Sequence, residues 1–152
     1  MFEIEGTKNP DEIVLKTATK TITINIAEST VEAGLTVGAL RGPGEFEVGE
    51  ATIRALGVGE NKAQTIYDVE IGGTHVGIVG GIEDGLDDLG ISDVLCTTSV
   101  RAVREISPKL VVAMGNVDGM VTELKLTART EKKLKIKSAD ALPAAMEVVV
   151  FA

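Results

Sequence analysis

The stretch QTIYDVEIGGTHVGIVGGI, Gln64 to Ile82, decides the fold class. It divides at Gly72 and Gly73 into two runs, AQTIYDVEIGG and THVGIVGG, both rich in Val and Ile. Paired glycines between two such runs predict a tight hairpin, because glycine takes the positive φ angles that the turn requires. Upstream, FEIEG (Phe2 to Gly6) alternates, TKNPDE turns the chain, and EIVLKT (Glu12 to Thr17) resumes. TITINI (Thr21 to Ile26) alternates polar and apolar residues strictly, the signature of a half-buried strand. Ala27 to Leu40 fits neither period cleanly. RGPGEFEVGEATIRALGVG then reads as a Pro-Gly turn into a strand pair.

Downstream the pattern changes. IEDGLDDLG reads as an acidic loop or helical turn, and SDVLCTT as a brief apolar strand. SVRAVREIS, Ser99 to Ser107, reads as a helix capped by Ser99, with Val100, Val103 and Ile106 on one face. KLVVAM is a buried strand, DGMVTELKLTAR holds a helix of about two to three turns, and KKLKIKS and MEVVVF are closing strands. The expected fold is α+β, with packed β-sheets and few helices, in one domain over residues 1–152.

Composition narrows the function. A chain of 152 residues, 44% hydrophobic and only 3% aromatic, builds its core from Val, Ile, Leu and Ala. A net charge of −8 opposes nucleic acid and anionic membranes. A single Cys allows no internal disulfide, and the N-terminus carries no secretory signal, so the expected location is the cytoplasm.

The chemical residues are sparse. His75 is the sole histidine, beside a hairpin turn, and reads as a solvated or locally bonded side chain. Zinc sites need three or four clustered ligands, which one His and one Cys cannot supply without mainly carboxylates. Cys96 sits in an apolar strand and reads as a buried structural thiol. GPGEFEVGE lacks the Lys-Ser/Thr of a phosphate loop, and no Ser lies in a G-x-S-x-G turn. Glu83, Asp84, Asp87 and Asp88 form the densest acidic cluster, without EF-hand spacing, and read as a solvated face. Lys133, Lys135 and Lys137 alternate so as to share one face of a strand, with Lys132 beside them. Protection of an edge strand explains that stripe, with a docking patch for an acidic partner as its rival.

Four stretches taken in order carry a resemblance. They are GPGEFEV (Gly42 to Val48), Gln64 to Ile82, SPKLVVAMG (Ser107 to Gly115), and KKLKIKSADALPAAMEVVVF (Lys132 to Phe151). Together they resemble the small metallo-β-lactamase-fold hydrolases of the ascorbate-6-phosphate lactonase-like group. Members show G-P-G-E-Y/F-E-V, then T-I-Y, a strand ending H-x-G-D, a strand ending P-M-H, and a closing L-P-x-x-x-x-V-V-V strand. The resemblance implies a β-sandwich-like fold and a zinc-dependent hydrolase.

The departures matter more. The family's H-x-H-x-D-H loop is absent from the sequence. The aspartate of the H-x-G-D strand end falls on Gly81, and the histidine of the P-M-H strand end on Gly115. The chain therefore reads as a truncated, degenerate member that holds no zinc. The expected role is structural, oligomer-forming or binding, with a homo-oligomer or a protein partner covering apolar sheet surface that the shortening leaves open. The alternative is a metal-dependent hydrolase with a rebuilt site. It would use Glu83, Asp84, Asp87 or Asp88, with Glu45 and His75 lining a pocket.

Overall fold

The computed structural model describes residues 1–34, 38–59, 64–81, 85–115 and 117–151. Strands dominate, as the alternation predicts, and they form two sheets. The first holds β1 (Phe2–Gly6), β2 (Glu12–Lys16), β3 (Thr21–Asn25), β4 (Thr30–Glu32), β5 (Leu40–Arg41) and β13 (Leu134–Ile136), in the order β13-β1-β2-β3-β4-β5. Its described pairings are all antiparallel.

The second sheet begins with the antiparallel run β6 (Gly44–Val48), β7 (Ala51–Val58), β8 (Gln64–Ile71) and β9 (Thr74–Val79). Gly72 and Gly73 have φ of 57° and 82°, so the hairpin between β8 and β9 uses both glycines at positive φ. From β9 the sheet turns parallel, through β10 (Val94–Thr97), β11 (Leu110–Ala113), β14 (Glu147–Phe151) and β12 (Ala128–Glu131). Parallel neighbours need crossover connections, and α1 (Val100–Ile106) supplies the one from β10 to β11. Ser99 caps α1 by accepting the Ala102 N–H at 3.1 Å, as its sequence predicts.

The inward residues of both sheets form one continuous apolar core, with Ile4, Leu15 and Ile24 from the first sheet and Ile53, Val76 and Val112 from the second. The far face of the second sheet carries a second core, where Leu95 and Val111 meet Ala102 and Val103 of α1 and Met120 of α2 (Val117–Leu124). The layers run sheet, sheet, helices.

The structure gives two segments their bounds and corrects one expectation. DGMVTELKLTAR holds the expected helix: α2 stops at Leu124, Lys125 takes φ 56°, and Ala128 already belongs to β12. The left-handed turn at Lys125 breaks the helical path. The segment Ala27 to Leu40 contributes β4 and the start of β5, which its mixed periods concealed. Leu35 and Val37 lie outside the described residues. Finally, the outer face of the six-stranded sheet is not apolar. Glu3 pairs in register with Lys135 on one side and Lys16 on the other. Lys16 meets Glu5 at 3.1 Å and Lys133 meets Glu3 at 3.7 Å. Among the described residues, Met1 and Ile91 are the exposed large hydrophobics. A charged, hydrated sheet face needs no partner to cover it.

Candidate functional site

The parallel strands of the second sheet end along one edge. Such edges are where open α/β sheets offer crevices to ligands. The loop between β1 and β2 leans over this edge and divides it into two clefts. The larger, about 200 Å³, lies between Lys8 and Asn9 on one wall and Met114, Gly115 and Phe151 on the other. The smaller, about 170 Å³, lies between Asp11 and Ile26 on one side and Gly80, Gly81 and Thr98 on the other. The loop is held by its own polar side chains. Thr7 Oγ1 donates to Glu12 Oε1 at 2.9 Å, and Asn9 Oδ1 accepts the Asp11 N–H at 2.9 Å. The Ile26 N–H donates to the Asp11 carbonyl at 2.9 Å, tying the loop to the end of β3.

Gly81 and Gly115 come together here around a single side chain. A Cβ on Gly81 would lie 3.8 Å from Thr98 Oγ1, and a Cβ on Gly115 would lie 3.6 Å from Thr98 Cγ2. β9, β10 and β11 thus present Gly, Thr and Gly at their ends. This donor set does not fit zinc: two members have no side chain, and the third offers a neutral hydroxyl where zinc takes imidazole, thiolate or carboxylate. Among the described residues, no three His, Cys, Asp or Glu side chains converge in a way that could hold a metal ion.

The other candidate residues lie elsewhere. His75 is the second residue of β9 and Gly81 lies beyond its end, so the two stand about 20 Å apart along the strand. Glu45 is exposed on the edge strand β6, in register with Arg54, about 14 Å and three strand spacings from β9. Asp87 and Asp88 are exposed on a single 3₁₀ turn, Leu86–Leu89, whose apolar ends are buried. Glu83 and Asp84 lie outside the described residues. Cys96 is fully buried, and burial pushes its thiol up, which keeps it protonated and unreactive. Lys133, Lys135 and Lys137 are exposed around β13, with Leu134 and Ile136 turned inward, and β13 is an edge of its sheet. That position matches the edge-protection explanation.

Sequence reasoning missed a polar cluster on the far face of the second sheet. Asp68, 3% exposed, accepts from Arg54 Nε at 3.3 Å and Nη2 at 3.2 Å, and lies 3.1 Å from His75 Nδ1. Arg54 Nη2 also donates to the Leu89 carbonyl at 3.0 Å, pinning the 3₁₀ turn to the sheet. The cross-strand pair Arg54–Asp68 follows from the hairpin register, which no single strand pattern displays. Asp11 and Thr98 were missed as well, being an ordinary turn residue and the residue just past a strand.

No family model matches this chain, and no curated protein matches it. Among solved structures, a Thermotoga maritima protein described as a "putative zn-dependent hydrolase of the metallo-beta-lactamase superfamily" aligns with a TM-score of 0.72 at 16% identity. The alignment covers 99% of this chain and 98% of that one. At that identity the likeness establishes the fold: a mostly β structure of two sheets of the metallo-β-lactamase type. Measured against that protein, the chain is not shortened.

Proposed function

We propose that this chain is a non-catalytic relative of the metal-dependent hydrolases, a degenerate β-sandwich of the ascorbate-6-phosphate lactonase-like group. It works by binding rather than by turnover. One observation carries the proposal: the ends of β9, β10 and β11 present Gly81, Thr98 and Gly115, which cannot assemble a metal centre that would generate hydroxide at neutral pH. The clefts beside them remain open, so the framework of a site persists without its ligands. Zinc, nucleic acid and membrane are not part of this proposal. Self-association is assigned to surfaces other than the charged outer face of the six-stranded sheet.

The test is the melting temperature after chelation, then with Zn²⁺, Mn²⁺, Mg²⁺ and Ca²⁺ added in turn. A specific metal at a hundredfold excess over its dissociation constant stabilises the native state by about 2.7 kcal/mol, several degrees at this chain length. A flat response to all four is expected. A saturable rise with one metal overturns the proposal and returns the rebuilt carboxylate-rich hydrolase site to the front.

A further inference from the structure

The smaller cleft is lined by four residues with polar side chains, and among the described residues none of these spends its hydrogen bonds inside the protein. Asp11, Gln64, Thr65 and Thr98 all line it, and among the described residues their side chains have no hydrogen-bond or ion-pair partner. They come from three different places in the chain, the β1–β2 loop, the start of β8 and the end of β10. Thr65 is 8% exposed, so it belongs to the cleft wall rather than to open surface. A loop fixed by its own hydrogen bonds holds Asp11 in place. Ile26 and Ala27 supply the apolar part of the lining. Convergent polar groups beside a small apolar wall, with their bonding capacity unspent, are the arrangement a ligand completes.

The lining also sets the sign of that ligand. Among the described residues, Asp11 is the one charged residue that lines the cleft, and none of them brings a cation to face it there. The net charge of −8 adds a field that concentrates cations and repels anions. Gln64, Thr65 and Thr98 offer neutral donors and acceptors suited to a hydroxyl or carbonyl. A volume of about 170 Å³ favours a small molecule. We infer that this cleft binds a small protonated amine bearing a hydroxyl or carbonyl group, with the ammonium on Asp11 and the polar end on Thr98, Thr65 and Gln64. The inference rests on the metal-free function proposed above and gives it a ligand class.

The experiment follows backbone amide chemical shifts while ethanolamine, glycerol or inorganic phosphate is titrated into the full chain. Saturable shifts confined to Gly80, Gly81, Thr98 and their neighbours are expected with ethanolamine, with a far weaker response to glycerol and none to phosphate. Asp11→Asn should weaken ethanolamine binding about tenfold or more, and Thr98→Val should weaken it less, both with unchanged spectra elsewhere. Absence of saturable shifts with ethanolamine overturns the inference, as does an equal response to glycerol, a preference for phosphate, or an unaltered affinity in Asp11→Asn. Zinc titrated into the same sample separates the two levels. No response to zinc or ethanolamine removes only the amine, whereas saturable zinc shifts at the same amides remove the metal-free function itself.

Discussion

Asp68 and His75 sit on neighbouring antiparallel strands with His75 Nδ1 3.1 Å and 3.2 Å from the two carboxylate oxygens. Arg54 closes the other side of the same carboxylate. The three partners are unequally buried: the Asp68 side chain is 5% exposed, against 39% for Arg54 and 35% for His75. Removing one partner therefore strands different groups. Arg54→Met leaves a buried carboxylate with half its partners, and it also frees the Leu89 carbonyl. Asp68→Asn leaves a guanidinium and an imidazole that can both turn to water. Arg54→Met should cost about 2 to 3 kcal/mol and Asp68→Asn about 1 to 2 kcal/mol. Urea denaturation of both variants at neutral pH checks the order. A larger loss from Asp68→Asn would mean that the cluster is held by water rather than by Arg54.

The strand framework was legible in the sequence because its signals are local. The Gly72-Gly73 hairpin needs two glycines at positive φ, and Ser99 needs only the three residues after it to form its cap. What stayed hidden depends on pairing. Arg54 and Asp68 meet only through the register of β7 and β8, and Asp11 reaches Gly81 and Thr98 only because a loop of one sheet overhangs the other. The ends of β9 and β11 were visible as glycines, but their meeting at Thr98 follows from the parallel order β9-β10-β11, which a sequence does not print. The boundary between α2 and β12 was lost for a related reason: Lys125 carries no turn signal, yet it takes the left-handed backbone.

Gly77 lies in the middle of β9, facing the helical layer, and a Cβ there would stand 2.5 Å from Ser92 Oγ and 3.1 Å from Leu89 Cδ2 and Leu95 Cδ1. Ser92 Oγ is itself buried, without a partner among the described residues. Gly77→Ala should destabilise by about 1 to 3 kcal/mol through overpacking. Ser92→Ala deletes an unsatisfied hydroxyl and should be neutral or slightly stabilising. Because the hydroxyl is the nearest obstacle, the double variant should be more stable than Gly77→Ala alone. Denaturation midpoints of the four proteins form the cycle, and strict additivity would show that the two leucines, not Ser92, limit the space.

Tyr67 is 1% exposed in the core between the sheets, and among the described residues its hydroxyl has no partner. Burial pushes its phenol from 10.0 up to about 12. Between those values the unfolded chain gives up a proton that the native state keeps, so rising pH favours unfolding. The contribution is complete below pH 10.0 and disappears as pH climbs through about 12, a loss of about 2 to 3 kcal/mol. Tyr67→Phe removes this component and leaves the lysines to titrate as before. Near neutral pH it should be neutral or stabilising, and above pH 10.0 its advantage over the parent should widen. Urea midpoints at a series of alkaline pH values measure that difference. A parent that outperforms Tyr67→Phe at neutral pH would reveal a buried water bonded to the phenol.

Gly81 and Gly115 differ in what they tolerate, although both border Thr98. Gly81 is not held at positive φ, and the nearest side-chain atom to its would-be Cβ is at 3.8 Å, so Gly81→Asp fits without strain. Gly115 has φ +58°, where a side chain costs about 1 to 2 kcal/mol, so Gly115→His should be destabilising by that amount. Introducing both residues supplies two ligands beside a threonine hydroxyl, short of the three or four that zinc requires. The double variant should therefore melt below the parent and gain no saturable stabilisation from Zn²⁺. A clear zinc-dependent rise in the double variant, absent from the parent, would show that further donors stand ready at this edge and that two substitutions suffice to recruit them.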